Sequence, residues 1–217
     1  MQLKIEMNHL KTLVFTCLLG TLSVHTSQAQ HIDCTSNSKS SLLKKICVDP
    51  LAENRKNLET QYLTAYLISD APLRLLADTH LLWFSRLEQC KSLLCYQQLF
   101  EQRIDDLNVY TSLNQSLTQH YLKYEKGKIS KMPVHLKIHQ LSKDRIKVEG
   151  ISYRNANNKL ETQFIPFLSY TTTDKKTEIV DNEHDCTYSF KYQRSILKVS
   201  SKQKGCERFV GIYRLYD

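Results

Sequence analysis

The chain has 217 residues, 41% of them hydrophobic, and carries 30 Lys+Arg against 22 Asp+Glu for a formal net charge of +8. Of its five glycines only Gly127, Gly150, Gly205 and Gly211 follow residue 30, and none sits in a phosphate-cradling loop, so nucleotide-binding motifs are excluded. No apolar run after residue 30 is long enough to cross a bilayer.

Residues 1–29 read as a signal peptide. Lys4 and Lys11 supply a positive start, Leu13 to Val24 an apolar core, and Ser27-Gln28-Ala29 a small-residue cleavage site before Gln30. Cys17 lies inside the apolar run after Phe15-Thr16, a poor lipoprotein signal. The expected product is periplasmic or secreted, with no transmembrane segment after the signal peptide. Six cysteines then remain: Cys34, Cys47, Cys90, Cys95, Cys186 and Cys206. An even count in an oxidising compartment reads as disulfides, whose connectivity the spacing leaves open. The intervals of thirteen and five residues, with no histidine between, do not suit zinc, and no CxxC pair marks a redox couple.

The period is helical up to about residue 108. Ser40 to Cys47 predicts a short first helix. Asp49-Pro50 opens a second, with Leu51, Leu58, Tyr62 and Ala65 on one face. Ala71-Pro72 separates it from a third carrying Leu73, Leu76, His80, Trp83 and Leu87. A fourth carries Tyr96, Leu99, Phe100, Ile104 and Leu107. Residues 109–132 read as a linker or an extension of the last helix.

From residue 133 the period is two. Cys186, Tyr188, Phe190 and Tyr192 alternate with polar residues, and "HLKIH", "RIKVEGISYR", "TQFIPFLSYTT", "SILKVSS" and "RFVGIYRLY" behave alike. Gly150 shifts the phase between Val148 and Ile151, which predicts a β-bulge. The expected class is α+β: a small helical bundle over 30–108 followed by an antiparallel sandwich- or barrel-like β domain over 133–217. Charge divides the same way. Residues 30–108 hold nine basic and ten acidic side chains, residues 109–217 nineteen and eleven. A basic β half suits anionic glycan or lipid, although scattered surface charge also serves solubility. No cluster of arginines and lysines interleaved with aromatics marks a nucleic-acid groove.

Catalytic constellations are not apparent. There is no GxSxG and no HExxH. His135, His139 and His184 read as surface histidines, and His80 as a core or boundary histidine beside Trp83. Glu53 with Glu59, and Asp105 with Asp106, read as solvated helix faces. The expectation is a protein that is not an enzyme, with no cofactor and no metal.

The helical half carries a more specific pattern. "IDC" ends at Cys34, and Ile46-Cys47 precedes Asp49-Pro50-Leu51-Ala52, Leu58 and Tyr62. Trp83 stands seven residues before Cys90, and Cys95 opens a helix carrying Phe100 and Arg103. Over about residues 31–108 this series resembles the lysozyme-inhibitor LprI N-terminal-domain family. Departures fall at Leu43, where the family has an acidic residue, at Asn54-Arg55 for Leu-Asp, and at Leu87, where an arginine is usual and Arg86 is its neighbour.

The resemblance implies that the first four cysteines pair among themselves, with Cys186 and Cys206 closing the second half. Each staple offsets the small core of such a bundle. Arg103 is expected to pack its stem and pair with a carboxylate such as Asp33 or Asp49, and Trp83 to sit in the core. The implied function is that of an exported binding protein that occludes a partner surface. That partner would be a lysozyme or another envelope protein, docked through a local acidic patch such as Asp105-Asp106. The alternative is an envelope module holding anionic glycan or lipid through the basic β half.

Overall fold

A computed structural model describes residues 32–35, 40–112 and 114–216. The expected signal peptide, Cys17 included, lies outside the described residues. Four helices precede nine strands: α1 (Ser41–Ile46), α2 (Ala52–Ile68), α3 (Leu73–Leu87) and α4 (Leu93–Ser112), then β1 (Thr118–Glu125), β2 (Lys128–Ile129), β3 (Val134–Ser142), β4 (Arg145–Tyr153), β5 (Phe164–Thr172), β6 (Glu178–Asp181), β7 (Cys186–Gln193), β8 (Ile196–Ser200) and β9 (Gly211–Tyr216). The α+β class therefore stands. No helix among the described residues is long and apolar enough to cross a membrane.

The helix boundaries follow from local chemistry. Ser40 caps α1, its hydroxyl accepting from the Leu43 N–H at 3.2 Å. Pro50 starts a single 3-10 turn that leads into α2, where its missing N–H costs nothing. Arg55, one of the departures, donates from Nη1 to the Ile46 and Val48 carbonyls at 2.6 and 2.8 Å. It thereby binds the unsatisfied end of α1 to α2. Residues 109–132, expected as linker or helix extension, hold the last turn of α4 and then β1 and β2.

All strand pairs are antiparallel, in the order β5-β4-β3-β1-β9-β8-β7-β6, with β2 beside β1. The two ends of this order approach each other, so the sheet is a nearly closed barrel. At the seam the Asn182 N–H donates to the Leu168 carbonyl at 2.7 Å. The fully buried Asp181 carboxylate accepts from the Leu168 N–H at 3.1 Å, the Glu183 N–H at 3.2 Å and His184 Nδ1 at 2.8 Å. One side chain thus stands in for a ladder partner where the β5 and β6 edges meet.

Gly150 is not at a bulge. β4 keeps an unbroken register against β3 and β5 through it, and the one irregularity lies between Gln140 and Ser142. A Cβ at position 150 would stand 2.5 Å from Leu136 Cδ2 and 3.1 Å from Phe167 Cβ. The glycine is there because the barrel interior is filled at that point.

Two hydrophobic cores result. The barrel interior packs Leu136, Val148, Phe167, Tyr188, Phe190 and Tyr213, all from the β half. The second core lies outside the barrel wall. There Leu58, Leu76, Trp83, Leu99 and Phe100 of the helices join Leu122 and Tyr216 of the sheet and Ala156 of the β4–β5 loop. Three disulfides form: Cys34–Cys47, Cys90–Cys95 and Cys186–Cys206. Such bonds fit an oxidising, extracytoplasmic compartment.

Candidate functional site: a charged cavity between helices and barrel

The residues singled out by the resemblance meet in one place. Tyr62 of α2 lies against His80 with ring centroids 4.6 Å apart, His80 against Trp83 at 5.0 Å, and Trp83 edge-on to Phe100 at 5.1 Å. Trp83 Nε1 donates to the Leu99 carbonyl at 2.8 Å, which fixes α3 on α4. His80 is therefore a core histidine, as expected. Arg103 is 2% exposed, and its Nη2 donates to the Leu76 carbonyl at 3.2 Å rather than to Asp33 or Asp49. Helix packing turned this guanidinium inward, toward α3 and the barrel.

The Cys90–Cys95 turn is clamped to the barrel. The Lys91 N–H donates to Asn157 Oδ1 at 2.9 Å, the Ala156 N–H to Gln89 Oε1 at 3.3 Å, and Asn157 Nδ2 to the Gln89 carbonyl. Gln163, fully buried, donates to the Ala156 and Asn158 carbonyls at 3.0 and 3.2 Å and accepts from Gln102 at 3.0 Å. The two thiols are a staple that shapes the turn for this contact.

Between α3, α4 and the outer face of β1, β3 and β4 lies a cavity of ≈ 170 Å³, lined by Trp83, Arg86, Arg103, Asp106, Tyr110 and Tyr153 among others. Arg86 is 4% exposed, stacks 4.6 Å from the Tyr153 ring centroid, and donates from Nη1 to the Arg154 carbonyl at 2.9 Å. Arg86 Nη2 and Arg103 Nε have no partner among the described residues. Leu87, the departure beside Arg86, is fully buried among the helices. Moving the arginine one position along α3 swings it about 100° around the helix. It then faces the barrel instead of the helical core.

Asp106 does not belong to a solvated pair. Asp105 is exposed, whereas Asp106 is half-buried and both line the cavity. Burial pushes the Asp106 carboxyl above its ordinary range, opposed by the positive charges of Arg103, Lys137 and Arg86. Burial likewise raises the Tyr110 and Tyr153 hydroxyls and lowers Arg86.

Of the histidines expected at the surface, His184 is exposed, whereas His135 and His139 are half-buried, and a further histidine lies beside them. His120 is fully buried, with Nε2 at 3.0 Å from Gln115 Oε1 and Nδ1 at 3.2 Å from His135 Nε2. Burial, then Lys137 and His139, push His120 down to about 3, and burial with His120 pushes His135 well down too. His139 sits 2.9 Å from Glu149, whose carboxyl is lowered to about 2 chiefly by that hydrogen bond. No group of three or more potential metal ligands occurs among the described residues.

Comparison with protein-family models, curated proteins and solved structures finds no match to this chain. The likeness to the LprI type therefore rests on the residues quoted above. Sequence reasoning named Trp83, Phe100, Arg103 and Tyr62 but missed Arg86, Tyr110 and Tyr153 as neighbours of a common cavity. The signal available was the displaced arginine beside Leu87.

Proposed function

We propose that the chain is an exported, non-enzymatic binding protein of the LprI-inhibitor kind, acting by occluding the surface of a protein partner. The observation that supports this reading is the stapled helical unit. Cys34–Cys47 and Cys90–Cys95 pair within it, around a continuous Tyr62–His80–Trp83–Phe100 stack. Two staples and a clamp to the barrel favour a rigid surface, and rigidity lowers the ordering cost of association. Basic c-type lysozymes gain no long-range attraction from a chain that is still +7 once residues 1–29, with two lysines and one glutamate, are removed, so binding would rest on local complementarity.

The test is a cell-wall turbidity assay with c-type and g-type lysozymes and the oxidised protein, with a reduced sample beside it. Inhibition that disappears on reduction is the expected result. No inhibition at micromolar excess would remove the lysozyme-inhibitor reading.

A further inference from the structure

Buried arginines are ordinarily matched by carboxylates or by a full set of carbonyls, because an uncompensated cation away from water is costly. Arg86 and Arg103 depart from this. Each is more than nine-tenths buried, each donates one hydrogen bond to a backbone carbonyl, and each retains an unpartnered nitrogen, Nη2 and Nε respectively. They come from different helices and line the same cavity. No carboxylate stands within ion-pair distance of either guanidinium among the described residues. Asp106, the acidic group nearest in kind, is coupled to both only through space.

Much of the rest of the lining is apolar or aromatic, with Trp83, Leu99, Leu122, Val134, Ile151 and Phe164 contributing, and Thr79, Gln102, Asp105 and His135 add polar groups. A volume of ≈ 170 Å³ is comparable to cavities that take a single benzene ring, or roughly five or six waters. The lining thus has the usual composition of a small-molecule site: an apolar body with a few convergent donors. Asp105 lies at the exposed rim, so within the enclosed part of the lining two guanidiniums face one carboxyl, Asp106, an arrangement that suits a monoanion better than a phosphate dianion. A planar carboxylate also fits the N–H geometry of arginine.

We propose that this cavity is a binding site for a small monocarboxylate with an apolar or aromatic body, its carboxylate held by the Arg86 and Arg103 guanidiniums. The body lies against Trp83 and Phe164, between the helices and the barrel wall. The site goes beyond the partner-occlusion reading and does not depend on it, because the cavity lies inside the helix–barrel interface and not on an outer surface.

Trp83 is the only tryptophan of the chain and lines the cavity, so its emission reports occupancy directly. The oxidised protein is titrated with sodium benzoate, and with benzyl alcohol as an uncharged molecule of similar size. The expected result is a saturable change in Trp83 emission with benzoate, at a Kd of about 1 mM or tighter. Benzyl alcohol should bind at least about tenfold more weakly.

Arg86→Gln should weaken benzoate by about tenfold or more. Should that variant fail to fold, Asp106→Asn decides: removing a negative charge from the lining should tighten benzoate a few-fold. An equal response to benzyl alcohol, an unchanged or weaker benzoate affinity in Asp106→Asn, or only a linear, collisional response to benzoate would each overturn the proposal. The last would mean that water alone fills the cavity. Turbidity inhibition without benzoate binding would remove this site and leave the occlusion reading intact, and the converse result would do the reverse.

Discussion

The two halves reach a buried core by different routes. The nearly closed barrel fills its own interior: that cluster draws every member from residues after 120. The helices do not close. Their cluster is completed by Leu122, Ala156 and Tyr216 of the barrel, with Tyr124 and Ile129 packed against it. α2 buries only Leu58 and Ala65 fully, and leaves Leu63, Tyr66, Leu67 and Ile68 at least half exposed. A nearly closed sheet satisfies most of its backbone and side chains together, whereas a bundle of this size buries too little apolar surface alone. The disulfides reflect the contrast. Two close loops of 13 and 5 residues in the helical half, and a single one closes 20 residues in the barrel.

The sharpest way to break this comparison is to separate the halves. Residues 114–216 should retain near-ultraviolet circular dichroism and a cooperative thermal transition, while residues 32–112 should lose both. A helical fragment that melts cooperatively would show that its core is sufficient without the barrel.

Next in size are two phenylalanines. Phe167 in the barrel and Phe100 in the helical core are 2% and 0% exposed, and truncating either to alanine should cost about 3–5 kcal/mol. The consequences should differ. Phe167→Ala should lower the transition of the whole molecule. Phe100→Ala should detach an early transition, seen in Trp83 emission, from the barrel transition seen by far-ultraviolet β signal. Coincident transitions in Phe100→Ala would mean that the halves unfold as one.

Asp181 tests the seam. Asp181→Ala removes the acceptor for the Leu168 and Glu183 N–H groups and should cost about 2–3 kcal/mol in denaturant midpoint analysis. The Leu168 amide should then exchange faster than those of β3. Unchanged exchange would show that the Asn182–Leu168 bond closes the barrel unaided.

The smallest expected effect is on pH. His120 is held at about 3 in the folded chain against an ordinary value of 6.5, so the unfolded chain binds the proton first as pH falls. The stability that neutral His120 contributes is complete above about pH 6.5 and is lost progressively down to about pH 3. By pH 5 the loss should be about 2 kcal/mol, measured as a fall in unfolding free energy. His120→Gln should flatten that slope. A slope that persists in the variant would assign it to His135.

Much of this was legible in the sequence. Helical and alternating periods separate near residue 110 because burial on one face imposes them whatever the partner is. Pro50, Pro72 and Ser40 mark helix starts for reasons confined to a few residues of backbone. The start of β1 was blurred because His120, Tyr121, Leu122 and Lys123 are buried in succession, one face of the strand in the barrel and the other under the helices, so no alternation shows. Gly150 was misread for the same reason: its constraint is the distance to Leu136 and Phe167 on neighbouring strands.

By itself, then, the sequence determined the local elements, the two-part organisation and the even set of cysteines, all of which depend on short-range spacing and side-chain type. Only the tertiary structure decided that Asp181 bridges the barrel seam, that Asp106 is half-buried while Asp105 stays at the exposed rim of the same cavity, and that Arg86 and Arg103 reach that cavity from two helices. Those facts depend on how surfaces distant in the chain meet, and a single chain's spacing carries no record of that.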